Sequence, residues 1–185
     1  EQDDKFDVIY GGYSLAFGDS SNLRYIYEKN AEKAHVASKR KCHSYLDLHT
    51  ANLLISREVI LSIPFDERIK NYGYEDVLLG KKLKENNIEI LHIDNQLTLD
   101  NYESNEDYLE KTKEGLHTLK VFSNELHGYS RLLTIAERLS QYHQRWIIKL
   151  FWKISQKHLE RKLISKKPSL FTYTIYKLGY FISIF

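Results

Sequence analysis

The chain of 185 residues contains no methionine, a single cysteine and two prolines. With no methionine even at position 1, it is expected to be a piece, or a processed product, of a longer protein. Cys42 stands alone, which excludes an internal disulfide and favours a reducing compartment. Residues 1–10 are acidic and lack an apolar core, so they do not read as a secretory signal. The apolar run near the C-terminus falls short of the about 20 residues that a comfortable membrane span needs. There is no internal repeat and no low-complexity segment. What remains is an ordinary globular composition, 42% hydrophobic and 28% charged, enough for one core.

The net charge of +2 hides an asymmetry. Residues 128–185 carry 11 Lys/Arg against 2 Asp/Glu, whereas residues 1–127 carry 16 against 23. An acidic body followed by a basic, aromatic tail predicts two parts with different tasks, divided near residue 127.

Along the body, Phe6–Tyr10 followed by Gly11 and Gly12 predicts a short strand ending in a glycine turn. The glycines are expected to serve backbone geometry there. Residues 22–40 have helical spacing, with Leu23, Ile26, Tyr27 and Ala31 on one face. The apolar run Asn52–Ile55 precedes Ser56, a candidate cap for a helix that buries Val59, Ile60 and Ile63 and ends at Pro64. After a polar loop over 66–74, Glu75–Asn86 predicts a helix with Val77, Leu78, Leu79 and Leu83 inward and Lys81, Lys82 and Lys84 outward, stopped by Asn86-Asn87. Ile88–Ile93 alternates and predicts a strand, in which His92 is expected to pack in the core. Asn105–Phe122 is an amphipathic helix bearing Tyr108, Leu109, Thr112, Leu116 and Leu119. Strands alternating with helices argue for an α/β fold.

The chemistry concentrates at Gly73-Tyr74-Glu75-Asp76. Two adjacent carboxylates follow a glycine and an aromatic at the start of a helix, where free amides and the helix dipole favour ionised acids. In α/β proteins such a position lies at the rim of a sheet, where ligands bind. Neighbouring residues on a helix start point in different directions, so one can hold a substrate while the other takes a proton. From spacing alone, simple complementation of the helix dipole is the favoured reading, since acidic residues in a first helical turn are common. Cys42-His43 and His49 match no zinc spacing, and there is no second cysteine.

The string Asn52-Leu-Leu-Ile-Ser-Arg-Glu-Val-Ile, then Phe65-Asp66-Glu67, Tyr72-Gly-Tyr-Glu-Asp and Leu91-His-Ile-Asp-Asn95 resembles bacterial family 2 glycosyltransferases of the GT-A fold. Lys111-Thr112, Pro168-Ser-Leu and Tyr176-Lys-Leu-Gly-Tyr extend the likeness over nearly the whole chain. The resemblance implies the C-terminal half of a Rossmann-like nucleotide-diphospho-sugar transferase domain over 1–127, followed by a helical extension over 128–185. It implies a hexosyltransferase-type enzyme that moves a sugar from a nucleotide-sugar donor to the hydroxyl of a glycan or lipid-linked acceptor, with inversion, in cell-surface polysaccharide synthesis. Asp76 would be the general base, Glu75 and Tyr74 would bind the acceptor, and Asn52 would lie near the donor sugar. The implied cofactor is a divalent cation, Mg or Mn, held by a D-x-D motif. That motif and the nucleotide-binding half are expected upstream, because Asp3-Asp4 lacks the right context; this chain alone is then expected to be inactive. The sequence also departs from the family near Leu99, where related proteins carry a histidine after the pair matching Asp94-Asn95.

The tail predicts one long helix or two over Leu132–Leu163. Arg145, Lys149, Lys153 and Lys157 form a basic stripe, with Ile147, Leu150, Phe151 and Ile154 opposite. Together with Trp146 and Trp152 this reads as a membrane-surface element, and Tyr173, Tyr176 and Tyr180 are expected near headgroups. Packing on the body or a dimer contact is the other reading. No nucleic-acid motif is present, and the acidic body would repel a polyanion. The expected location is cytoplasmic, with the tail a candidate for peripheral attachment to the inner face of the membrane. The alternative function is a non-catalytic carbohydrate-binding or membrane-associating remnant.

Overall fold

A computed structural model describes residues 6–185. The architecture is mixed α/β with a helical C-terminal part. The chain forms two compact units. The first comprises residues up to Phe17, Glu28–Lys70 and Tyr74–Asn101; the second comprises Gly18–Tyr27, Asn71–Gly73 and Tyr102–Phe185.

The first unit is built on a three-stranded sheet. Strand β1 (Val8–Tyr10) lies at its centre, antiparallel to β3 (Leu53–Ile55) and parallel to β4 (Ile90–His92). All three residues of β1 are buried, as an apolar strand covered on both faces requires. A second, two-stranded parallel ribbon pairs β2 (Tyr13–Leu15) with β5 (Leu97–Leu99). The chain passes from β1 to β2 through Gly12, at φ 77°. A side chain there would also strike the guanidinium of buried Arg40, so this glycine answers both a backbone and a packing demand. The core gathers Val8, Tyr10, Leu48, Val59, Ile63, Leu79, Leu83 and Ile90. Each fully buried side chain of the Leu83 type contributes about 1.5–3 kcal/mol through the hydrophobic effect.

Local signals explain the helices of this unit. Ser56 Oγ accepts the Val59 amide at 3.3 Å and opens α3 (Arg57–Ser62). Helix α4 (Glu75–Glu85) buries Leu78, Leu79 and Leu83 and ends at Asn86 and Asn87, the latter at φ 57°. The span 22–40 divides into α1 (Leu23–Ala31), whose residues up to Tyr27 belong to the second unit, a 3-10 turn (Glu32–Ala34) and α2 (Ala37–Arg40). His92 is buried as expected: Nδ1 accepts from Arg40 Nε at 3.3 Å and Nε2 donates to the Ser44 carbonyl at 3.1 Å.

The second unit is helical. It contains α5 (Asn105–Val121), α6 (Arg131–Gln141), α7 (Arg145–Ile164) and α8 (Leu170–Ile184). Ser104 caps α5 and Ser130 caps α6. His143, at φ 55°, separates α6 from α7, so the long helical pattern is two helices. A short connection returns α8 antiparallel along α7. Arg145 lies over the Phe185 ring and Trp152 over Tyr176 and against Gly179. The core comprises Leu23, Tyr108, Leu109, Trp152, Leu159, Leu163, Tyr173 and Tyr176.

One expectation needs correction. Tyr173 and Tyr176 do not face headgroups: both are buried, Tyr173 sharing a hydroxyl hydrogen bond with Thr112 at 2.8 Å and Tyr176 donating to Glu160 at 3.1 Å. Tyr180, half-buried, meets His117 at 3.0 Å and the Trp152 ring. Trp152 is a core residue, whereas Trp146 is exposed. The second compact unit takes in α5 as well as the basic tail, and α5 packs with α7 and α8. Among the described residues no helix is long and apolar enough to cross a membrane.

Candidate functional site

The four candidates Asn52, Tyr74, Glu75 and Asp76 all fall in the first unit. The turn that delivers the carboxylates is unusual. Gly73 has φ 100°, and Tyr74, the residue before α4, has φ 68° and ψ 2°. A bulky aromatic in the left-handed region is held there at a cost of about 1–3 kcal/mol, and such residues cluster at functional sites. The consequence is that Glu75 and Asp76 occupy the first turn of α4, whose amides lack helical partners.

Asp76 is one-fifth exposed. Its Oδ1 accepts the Val77 amide at 2.8 Å, and its Oδ2 lies 3.0 Å from His49 Nδ1. His49 precedes the 3-10 turn Thr50–Asn52. Burial works against charge on this imidazole, but the Asp76 hydrogen bond, with the charges of Asp76, Glu28 and Asp47, outweighs it and raises the pKa above the usual histidine value. Around His49 stand two further rings, Tyr13 at 5.5 Å and His35 at 6.0 Å between centroids. Tyr13 donates to Glu28 Oε2 at 2.8 Å and accepts from His35 Nε2 at 2.8 Å. Burial, then the neighbouring His49, lowers the pKa of His35. The two imidazoles are thus driven in opposite directions, a pattern that separates a charged from a neutral partner.

In the same unit, the Tyr10 hydroxyl is buried and has no hydrogen-bond partner among the described residues. Burial pushes its pKa up to about 12; Arg40 opposes this, and Asp76 and Asp47 add to it. Oε2 of Glu75 is likewise buried and unpartnered. A buried carboxylate oxygen without a donor is costly unless something binds it.

Asn52 is committed to the scaffold. Its amide nitrogen donates to the carbonyls of Gly12 at 2.8 Å and Asn95 at 2.6 Å, tying the end of β1 to the chain after β4. Both amide hydrogens are used, so only its carbonyl remains for a sugar, and none of its hydrogen bonds reaches Glu75 or Asp76. His49, three residues before Asn52, bonds Asp76. Gly11 packs so closely on Asn52 that a side chain at that position would displace it. Leu99 is an ordinary rung of the β2–β5 ribbon, paired with Leu15.

Sequence reasoning found the carboxylates but missed Tyr13, Glu28, His35 and the His49–Asp76 pair. Among the described residues, no three His, Cys, Asp or Glu side chains form a set that could hold a metal ion. Asp3-Asp4 lies outside the described residues. Neither family profiles, nor curated proteins, nor solved structures yield a match to this chain.

Proposed function

We propose that the first unit is the acceptor side of an inverting glycosyltransferase of GT-A architecture, and that Asp76 is its general base. The observation that carries this reading is the left-handed Gly73–Tyr74 turn, which starts α4 with two carboxylates, one of them fixed by His49. Asp76 accepts the proton of an acceptor hydroxyl as that oxygen bonds to the anomeric carbon of the donor. The bond from that carbon to the nucleoside diphosphate breaks, and the leaving group takes the electron pair. Attack from the opposite face inverts the centre. Positioned acid–base groups of this kind contribute about 10²–10⁴-fold.

His49 is a positioning residue, since its hydrogen bond sets the orientation of the Asp76 carboxylate. Glu75, with a buried oxygen seeking a donor, accepts a hydroxyl of the acceptor. Tyr74 offers a ring face to the acceptor sugar. The nucleotide-binding half and any divalent cation belong to the full gene product, and no step above passes through a metal. The natural acceptor in this reading is a growing cell-surface glycan.

The test uses the full-length gene product. Nucleoside diphosphate release is measured for a panel of nucleotide-sugars with glycan acceptors, for the native protein and for Asp76→Asn. The expected result is acceptor-dependent release that falls by about a hundredfold or more in the variant, with an unchanged circular dichroism spectrum. Near-native release by Asp76→Asn overturns its role as base. Saturable glycan binding without release by the native protein would instead assign a carbohydrate-binding module.

A further inference from the structure

Helix α7 is amphipathic twice over. Its inward face buries Trp152, Leu159 and Leu163 against the bundle. Its outward face over residues 146–154 is also apolar and is bare: Trp146 is 66% exposed, Leu150 54% and Ile154 78%, with Ile147 and Phe151 beside them. At 1.5 Å per residue this stripe is about 12 Å long. At 100° per residue, Lys149 and Lys153 run along one edge, and Lys157 and Arg161 continue the stripe toward the C-terminus. The helix as a whole carries six Lys/Arg against a single acid, Glu160, whose carboxylate is engaged by the Tyr176 hydroxyl at 3.1 Å.

Charge decides what covers this face. A second copy of the chain would meet it through a two-fold axis, which sets a patch against its own image. In an antiparallel pairing Lys149, Lys153 and Lys157 would then oppose their own copies, and a stripe about 12 Å long is short of the about 800 Å² per partner of a stable interface. An anionic bilayer supplies the missing charge instead: its headgroups meet the lysines while the apolar side chains enter the acyl boundary. Trp146 is suited to that depth, having an apolar body and one N–H donor.

We infer that the outward face of α7, from Trp146 to Ile154, docks the protein on an anionic lipid surface. The helix lies in the interface and does not span the bilayer. This inference is independent of the transferase reading.

Vesicle co-sedimentation of the full chain tests it, with phosphatidylcholine vesicles and with vesicles of phosphatidylcholine mixed with phosphatidylglycerol, an anionic surface at which each lysine adds about fivefold. Binding is expected to the anionic vesicles only, to weaken with salt, and to shift Trp146 emission to the blue. Leu150→Glu/Ile154→Glu and Lys149→Glu/Lys153→Glu are each expected to lose at least tenfold in affinity while melting like the native chain, because all four positions are outside the core. Equal binding to neutral and anionic vesicles, or binding that survives either pair of substitutions, overturns the inference. So does a concentration-dependent dimer that Leu150→Glu/Ile154→Glu abolishes, which would assign the face to a second copy.

Discussion

Asp76 Oδ2 and His49 Nδ1 lie 3.0 Å apart, joining the first turn of α4 to the turn that carries Asn52. The pair makes the protonation of one group depend on the other. His49 titrates above the ordinary histidine value because Asp76 favours its charged form. Asp76→Asn removes both the charge and the acceptor. The imidazole is therefore expected to titrate at lower pH in the variant, followed by NMR of its ring protons. The stability linked to this histidine is fully present below its unfolded pKa and is lost as pH rises through the higher folded value. In Asp76→Asn that loss of stability with rising pH is expected to disappear, because burial, the largest influence on the imidazole, is then opposed only by Glu28 and Asp47. An unchanged His49 titration would show that the contact is not formed in solution.

The two carboxylates were legible in the sequence because their setting is local: a glycine, an aromatic and a helix start within four residues. The helix that follows was legible too, from Leu78, Leu79 and Leu83 and the Asn86-Asn87 stop. His49 was not, because it lies 27 residues before Asp76 and nothing near it in the chain signals the partner. Tyr173 and Tyr176 misled for a physical reason: an apolar, aromatic run of helical length reads alike whether α5 and α7 or lipid covers it. Strands β2 and β5, three residues each, are too short for alternation to announce them.

Tyr74 tests whether the strained turn serves the site or the fold. Left-handed backbone costs an ordinary residue about 1–2 kcal/mol, and glycine is free of that cost. Tyr74→Gly relieves the strain but removes a half-buried ring, so its stability is expected to stay within about 1 kcal/mol of native. If the ring faces an acceptor sugar, acceptor KM rises in the full-length protein while donor KM does not. A large loss of stability would make Tyr74 a packing residue instead.

Gly12 and Gly128 share φ 77° but differ in surroundings. A Cβ on Gly12 would collide with the Arg40 guanidinium, whereas a Cβ on Gly128 would meet nothing within 4 Å. Gly128→Ala is therefore expected to cost only the backbone term, about 1–2 kcal/mol. Gly12→Ala is expected to cost about 1–3 kcal/mol more, because buried Arg40 must give up hydrogen bonds to make room. Urea denaturation of the two variants measures the difference. Equal losses would mean that Arg40 moves aside freely.

Lys177 sets an alkaline signature in the second unit. Burial lowers its pKa to about 8, even though the Tyr27 and Tyr173 rings, 4.7 and 4.4 Å from Nζ, favour the cation. Between about pH 8 and 10 the folded lysine is neutral while the unfolded one still carries its proton. The unfolded state then binds more protons, so stability rises with pH in that interval. Above about pH 10 the balance reverses. Burial holds Tyr173 and Tyr176 protonated in the folded state, with Glu160 adding to the effect on Tyr176, while the unfolded tyrosines ionise. Stability is expected to peak near pH 10 and then fall. Trp146 and Trp152 are both in this unit, so urea unfolding followed by tryptophan fluorescence from pH 7 to 11 reads it directly. Lys177→Met should flatten the rise and leave the alkaline fall; a rise that persists in the variant would place its cause on another group.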